Sequence, residues 1–388
     1  MENKNYDFCI IGGGIIGAAI ARELSKYNKK ILILEANKRV AMETSQGNSG
    51  LVHGGFDPTP GKLNAKLNLL GKKRYEDWIK ELDFPYQRIN SLVVAFNDEE
   101  MQHVKMLYDR GITNGLEAKE MQILTKAEII KIEPNLNPDI IGGLLCNSSI
   151  AIDPVELSKV LFENAITNHA ELKVNSKVSK IAKQNDVFEI TVNGDKTYYA
   201  SKIINVAGHY ADEIAAMAGY PDFKLETLRG EYRILEKSEA SVVSSVIFMV
   251  PTIHGKGVIV APTLDGHLLV GPTAQKGVLK SETRLVTPEK FNQIGEIGRK
   301  LIPNLKIEKT CMTFSGSRPI EPSSEDFYIK PAIKDDNFIN VAGTKSPAIS
   351  AAPAIADYVI DILKSTSKDK FEIKKDYQPY QKSILPMN

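Results

Sequence analysis

Cysteine is scarce in this 388-residue chain: there are 3, Cys9, Cys146 and Cys311, far apart and without a CxxC pair. That excludes a zinc ribbon, a dithiol redox pair and a scaffold stapled by disulfides. Cys9 lies inside an apolar run, and all three read as small core residues. Charge of one sign is lacking too, with 49 Lys and Arg against 48 Asp and Glu, a formal net charge of +1. A basic footprint for nucleic acid is therefore absent, and no nucleic-acid partner is expected. No apolar run approaches the ~20 residues that cross a bilayer. No basic segment followed by an apolar one opens the chain. The expectation is a cytoplasmic, reduced protein with no transmembrane segment and no metal site, which leaves room for peripheral attachment to a membrane surface. Neither an internal repeat nor a low-complexity linker is visible. What is present is ordinary globular material, 43% apolar and 25% charged, long enough for two packed domains.

The most informative stretch is Phe8-Cys9-Ile10-Ile11-Gly12-Gly13-Gly14-Ile15-Ile16-Gly17, followed by Ile31-Leu32-Ile33-Leu34-Glu35. It reads as strand, glycine turn, helix, second strand and an acidic end. In such a unit Gly12 permits the tight turn, Gly14 lets the backbone approach a pyrophosphate, and Gly17 lets the helix pack close to the sheet. The helix N-terminus offers N–H groups and positive dipole to phosphates. Glu35 stands where a carboxylate accepts hydrogen bonds from ribose hydroxyls. The glycine triplet alone would fit any glycine-rich βα turn; the register of strand, helix, strand and acid points to a dinucleotide.

Further along, helical spacing is expected over 63–82, 98–108, 125–132, 154–165, 209–218 and 351–363. Thr125 followed by Glu128 suggests a capping box, and Asp153-Pro154 a helix start. Residues 172–192 and 202–206 alternate like strands around an Asn193-Gly194 hairpin, and 227–317 is strand-rich. The runs 203–208 and 338–343 are buried strands ending in glycine, as the first one is. A doubly wound sheet carries its ligand at the carboxyl ends of its strands. The cofactor-binding half is therefore split between the start, middle and end of the chain, and an antiparallel sheet forms a second domain from the segments between. The charged tail beyond Lys364 is expected to be loose.

Several residues have chemistry to offer. His53, in Ser49-Gly50-Leu51-Val52-His53-Gly54-Gly55, sits among glycines whose backbone can approach a flat ring, and histidine is the side chain suited to take a proton near neutral pH. A loop histidine making structural hydrogen bonds is the alternative. Lys256 lies in a glycine-flanked turn and can hold an anion, though spacing alone favours a solvated lysine. Arg318, between Gly316 and Pro319, is restricted, and its planar fork suits a carboxylate or phosphate; pairing with a nearby acid is the other reading. Ser346 and Pro347 precede the last helix, where N–H groups and hydroxyls meet an oxygen-rich ring edge or serve as an ordinary polar helix start. His103, His169 and His267 read as solvated.

The pattern GGGIIG, ETSQGNSGLVHGG, NVAGHYAD, SGSRP and GTKSPAISAAPAI resembles the FAD-dependent oxidoreductases related to D-amino-acid oxidase. Within them it is similar above all to the short, mycoplasma-type glycerol-3-phosphate oxidases, from about Asp7 to Leu363. The resemblance implies an α/β fold with a Rossmann-type FAD-binding domain over 1–84, 145–226 and 312–370, and an antiparallel-sheet substrate domain over 85–144 and 227–311. It implies FAD held by Gly12, Gly14, Ile16, Gly17 and Glu35, with Thr44, Ser45, Ser49, Gly50 and Leu51 along the pyrophosphate and flavin. Val178 would meet the adenine, Gly208 the pyrophosphate region, and Ser346 and Pro347 the flavin. His53 matches the family's proposed base, and Ser49, His53, Lys256, Arg318 and Ser346 its substrate-binding positions. The implied reaction oxidises sn-glycerol 3-phosphate to dihydroxyacetone phosphate by hydride transfer from C2 to flavin N5, with O2 reduced to hydrogen peroxide. The L-2-hydroxyglutarate oxidases share an SGxxHxG stretch and are the alternative; a histidine of that family stands where this chain has Ile259, and Lys345 is foreign to its C-terminal loop. Amine oxidation of the glycine-oxidase kind, or flavin binding without turnover, are further readings of the same fold.

Overall fold

The computed structural model describes residues 5–250, 257–367 and 370–382. In chain order the first half runs β1 (Asn5–Ile11), α1 (Ile15–Ser25), β2 (Ile31–Leu34), β3 (Leu51–Val52), α2 (Leu63–Glu81), β4 (Tyr86–Ala95), α3 (Asp98–Asn114), β5 (Met121–Thr125), α4 (Lys126–Ile132), β6 (Gly142–Ile152), α5 (Pro154–Thr167), β7 (Glu171–Lys173) and β8 (Val178–Gln184). The second half runs β9 (Val187–Val192), β10 (Lys196–Asn205), α6 (Ala211–Met217), β11 (Glu226–Leu235), β12 (Val246–Met249), β13 (Ile259–Pro262), β14 (Leu268–Gly271), β15 (Gln275–Lys276), α7 (Pro288–Leu301), β16 (Thr310–Ile320), β17 (Tyr328–Ala332), β18 (Asp335–Ala342) and α8 (Ala348–Thr366).

Local chemistry accounts for many of these ends. Thr125 and Glu128 form a reciprocal capping box on α4, Asp153 caps α5 with Pro154 in the first turn, and Asn97 caps α3, which stops at the left-handed Gly115. The helix α3 runs six residues beyond the expected end, to Asn114. The expected run of strands over 227–317 is interrupted by α7, which opens on a Thr287 cap and Pro288.

Two sheets organise the chain. The first has the order β17-β18-β10-β1-β2-β7, with the β8–β9 hairpin attached to β10. Its core pairs, β18–β10, β10–β1, β1–β2 and β2–β7, are parallel. Parallel strands covered on both faces read as unbroken apolar runs, and β2 is buried at every residue. Every residue of α1 is buried as well, because it packs between this sheet, α5 and α8, where Ile20, Leu24, Leu161, Ile355 and Val359 share one core. The second sheet, of order β15-β11-β14-β13-β12-β4-β6-β3 with β5 on β6 and β16 on β11, is antiparallel except for the parallel pair β4–β12. One face of it packs on α4 and α7 through Ile129, Ile294 and Leu301. Among the described residues no helix is long and apolar enough to cross a membrane.

The C-terminal tail differs from the expectation of looseness. Ile373 bridges to Tyr27 and Gln381 to Leu82, and the Phe371 ring meets Tyr27 edge-on at 5.3 Å. The Pro379 carbonyl accepts from Arg22 at 3.1 Å. Apolar and hydrogen-bonding anchors hold the segment although its composition is charged. Arg22 is fully buried and also binds Glu81 at 2.6 Å and Glu23 at 3.2 Å, so α1, α2 and the tail meet on one guanidinium. Breaking a buried pair from one side strands the other charge. Arg22→Ala is expected to lower stability by about 3 kcal/mol in equilibrium denaturation, and Glu81→Gln, at the more exposed partner, by less.

Candidate functional site

The carboxyl ends of β1, β2, β10 and β18 open onto one cavity of about 540 Å³. Its first end is the βαβ turn. Gly12 has φ +126°, and a Cβ there would fall 2.4 Å from the Val206 carbonyl oxygen, so only glycine fits. A Cβ on Gly17 would fall 2.2 Å from the Gly12 carbonyl oxygen, the close helix–turn approach the third glycine was expected to serve. The N-terminal residue Gly14 gives α1 no side-chain cap; Ser45 Oγ instead accepts from Ile15 N at 2.9 Å, leaving its own hydrogen for an anion. Glu35, at the end of β2, accepts from Gly13 N at 2.6 Å and Asn37 N at 2.7 Å, which holds its carboxylate at the cavity wall. Gly12, Gly14, Ile16, Gly17, Glu35, Thr44 and Ser45 all line this part, with Val178 and Gly208 beside them. A glycine turn, a helix N-terminus met by the Ser45 hydroxyl and a fixed acid suit a dinucleotide, and these residues could hold FAD.

The loop after β2 then crosses to the second sheet. Ser49, Leu51 and His53 line the cavity and Gly50 does not. Gly50 faces β6 instead: its carbonyl accepts from Ile152 N at 2.8 Å and its N–H donates to Asn48 Oδ1 at 2.8 Å, so its backbone is committed to holding the loop.

At the far end β11 and β16 supply one wall. Leu228, Gly230 and Tyr232 lie opposite Arg318, Gly316 and Phe314, so these residues share a face. Tyr232 hydrogen-bonds to Arg318. Burial raises the Tyr232 phenol above its ordinary value, while the Arg318 charge and hydrogen bond pull it down. Tyr232 stacks on Phe314 at 4.6 Å with 8° between planes. Opposite, His53 is anchored through its backbone N–H to Ser350 Oγ at 2.8 Å. Its Nε2 stands 3.4 Å from Ser346 Oγ, and its ring is tilted against Phe248 at 6.3 Å. Ser346 and Pro347 line the cavity at the N-terminus of α8, as do Ile259 and Phe248. Lys256 and its neighbour His254 lie outside the described residues. Lys345 approaches Glu325 Oε2 at 3.9 Å and is not part of the lining. Among the described residues no group of His, Cys, Asp or Glu is arranged to hold a metal ion.

Sequence reasoning missed Tyr232, Phe248 and His209. Tyr232 alternates with Leu228 and Gly230 on a strand whose other face is charged, a signal that was legible; nothing in the sequence marks His209. The His209 ring lines the cavity and is 4% exposed. Its Nε2 is 2.8 Å from the Ser317 carbonyl oxygen and 3.1 Å from Thr44 Oγ1. Burial pushes its pKa down to about 4, with Lys280 adding to the fall and the Ser317 hydrogen bond and Asp212 opposing it. Its Nδ1 is buried with no partner among the described residues, which suits a neutral ring.

A family model described as FAD dependent oxidoreductase matches residues 7–362. The chain is 44% identical over 367 residues to glycerol 3-phosphate oxidase of Mycoplasma pneumoniae, covering 94% of this chain and 95% of that one. It is 41% identical over 378 residues to glycerol 3-phosphate oxidase of Mycoplasma genitalium, covering 96% and 98%. Among solved structures, the dithionite-reduced L-alpha-glycerophosphate oxidase of M. pneumoniae with FAD bound superposes with a TM-score of 0.95 at 41% identity, covering 98% of this chain and 100% of that one.

The His209 environment sets a pH dependence. Its folded pKa of about 4 lies below the ordinary 6.5, so between these values the unfolded chain binds a proton that the folded one refuses. The contribution is complete above pH 6.5 and is lost as pH falls toward 4, on the order of 3 kcal/mol. His209→Gln, which cannot take that proton, is expected to lose less stability over the same interval in denaturant titrations.

Proposed function

The chain belongs to the FAD dependent oxidoreductase family, and we propose that it oxidises sn-glycerol 3-phosphate at C2 to dihydroxyacetone phosphate and delivers the electrons to oxygen as hydrogen peroxide. FAD is its cofactor. The observation that carries the reading is the meeting, at one end of the dinucleotide cavity, of a hydrogen-bonded histidine with an arginine on the facing wall. When bound, FAD supplies the hydride acceptor at N5 and the route for two electrons to O2.

The protein's part is binding, orientation and one proton. An unactivated secondary alcohol gives up hydride only as its O–H proton leaves, and His53 Nε2 takes that proton. Ser346 Oγ, at 3.4 Å, and Phe248, at 6.3 Å, fix the ring that does so. The phosphate is gripped by Arg318, whose fork is steered by Tyr232, with Lys256 as a second cation. Ser49 borders the space between. Phe248, Ile259 and Tyr232 line it with apolar surface that limits water. The N-terminus of α8 borders the cavity at Ala348 and Ile349, where its dipole would favour negative charge on a bound flavin. Atoms balance: glycerol 3-phosphate and O2 give dihydroxyacetone phosphate and H2O2.

Peroxide release in air, with sn-glycerol 3-phosphate and L-2-hydroxyglutarate in parallel, tests the reading. Peroxide with the phosphate ester alone is expected. Flavin bleaching without peroxide moves the electrons to another acceptor, and a response to the hydroxy acid alone reassigns Arg318 to a carboxylate. His53→Asn is expected to slow turnover by about 10²–10⁴-fold while the protein stays yellow; unchanged turnover removes His53 as the base. Arg318→Ala removes charge-assisted hydrogen bonds and is expected to raise KM by roughly 10–100-fold, read from steady-state peroxide assays; loss of flavin with KM intact would contradict the assignment.

A further inference from the structure

The strand β16 is an edge. It pairs with β11 along one side and with no other strand among the described residues. Carbonyls on such an edge have no ladder partner, and a buried one must find a donor elsewhere. Ser317 is 2% exposed, and its carbonyl meets two donors from distant segments: His209 Nε2 at 2.8 Å and Thr44 Oγ1 at 2.8 Å. A carbonyl only accepts, so Nε2 carries the imidazole proton. The Thr44 hydroxyl gives its hydrogen to the same carbonyl, and its oxygen accepts the weaker branch of the single Nε2–H, at 3.1 Å. A closed ring of contacts thus joins the end of β10, the loop after β2 and the edge of β16. The next residue along β16 is Arg318, whose side chain lines the cavity.

We propose that His209 is a positioning residue for the substrate site: its neutral Nε2–H pins the Ser317 carbonyl to the cofactor loop at Thr44 and so sets where the Arg318 guanidinium meets the substrate's anion. The proposal rests on the reading of Arg318 as the anion grip. The imidazole acts here through a donor and not through charge, so its length is what matters. Glutamine carries an amide N–H at about the reach of imidazole Nε2. Asparagine carries one at the reach of Nδ1, short of the carbonyl, and leucine fills the volume with no donor.

Steady-state assays on the FAD-loaded enzyme, with FAD dissociation followed by flavin fluorescence, separate these. His209→Leu is expected to raise KM for sn-glycerol 3-phosphate about tenfold with kcat changed less than about threefold, the scale of one hydrogen bond lost from a carbonyl that keeps its Thr44 donor. His209→Gln restores KM to within about threefold, and His209→Asn does not. FAD dissociation constants follow the same order, because Thr44 lines the cofactor cavity. An unchanged KM in His209→Leu overturns the proposal, as does a fall in kcat and thermal midpoint shared equally by the Leu, Asn and Gln variants. If the unaltered enzyme leaves sn-glycerol 3-phosphate unoxidised, the substrate reading fails by itself. The FAD dissociation constants then decide: Gln tight with Leu and Asn loose supports the pin, and all three alike overturn it.

Discussion

Two backbones touch with no side chain between them where the cofactor loop crosses β16. A Cβ on Gly316 would fall 1.9 Å from the Gly47 carbonyl oxygen, and one on Gly47 would fall 2.6 Å from Gly316 Cα. The rest of the site depends on this contact. The loop that carries Ser45 to the N-terminus of α1 is the same loop that lies on the strand carrying Arg318, so the proposed phosphate cradle and the proposed anion grip share one frame. Glycine at both positions costs backbone entropy. The hydrogen bonds that Thr44 and His209 make to Ser317 offset that cost at the adjoining residue.

Charge is distributed with the same economy across β11. Toward the cavity it presents Leu228, Gly230 and Tyr232; away from it, Arg229, Glu231 and Arg233, all buried. Behind the strand Arg229 pairs with Glu231 at 3.1 Å, and Glu231 accepts from Thr287 N at 2.7 Å, which ties the start of α7 to the sheet. Arg233 donates to the Ile307 carbonyl at 2.7 Å and to the Phe291 carbonyl at 3.0 Å. Buried ions are tolerable when each is paired or solvated by carbonyls. The back of the wall is thereby closed, and on the cavity side Arg318 stands beside the Tyr232 phenol, with His53 lining the same cavity.

Patterns that depend on a few neighbouring residues were legible in the sequence. The βαβ unit, the glycine-ended strands, the Thr125 capping box and the Asp153-Pro154 start are such patterns, and all appear in the fold. The helix α7 carried an equally local signal, Thr287-Pro288, that the surrounding β-branched runs obscured. Arg318 was read as an arginine restrained by glycine and proline, but it stands inside an eleven-residue strand, and its restraint comes from β11 and Tyr232. Gly50 looked like its neighbours in a glycine-rich loop; its hydrogen bond to Ile152, beside the pairing of β3 with β6, is a contact between distant segments that no local pattern reports. His209 belonged to a run already read as a strand end and helix start. Its role comes from Ser317, 108 residues away in sequence, a separation that no local pattern reports. The docked tail is the same case, since its anchors are Arg22, Tyr27 and Leu82 at the other end of the chain.

The proposed chemistry asks for a fixed separation between a base and an anion grip, with a flat ring on one side of the carbon between them. His53 is held by α8 through Ser350 and Ser346, the helix whose N-terminus faces the cavity. Helix α8 belongs to the layer on the first sheet, packed closely on α2 where a Cβ at Gly71 would fall 2.1 Å from the Ser350 carbonyl oxygen. Arg318 is held by the second sheet. Base and grip are therefore carried by different layers, and their separation is only as constant as the junction between those layers. A misplacement of about 1 Å at a reacting group can cost a hundredfold in rate. Backbone-to-backbone contact at Gly47 and Gly316 is the stiffest junction available, because it contains no rotamers, and hydrogen bonds to the Ser317 carbonyl fix the register along it. Placing the proposed anion grip, Arg318, two residues from that junction makes the distance that matters most for the proposed reaction the one least able to vary.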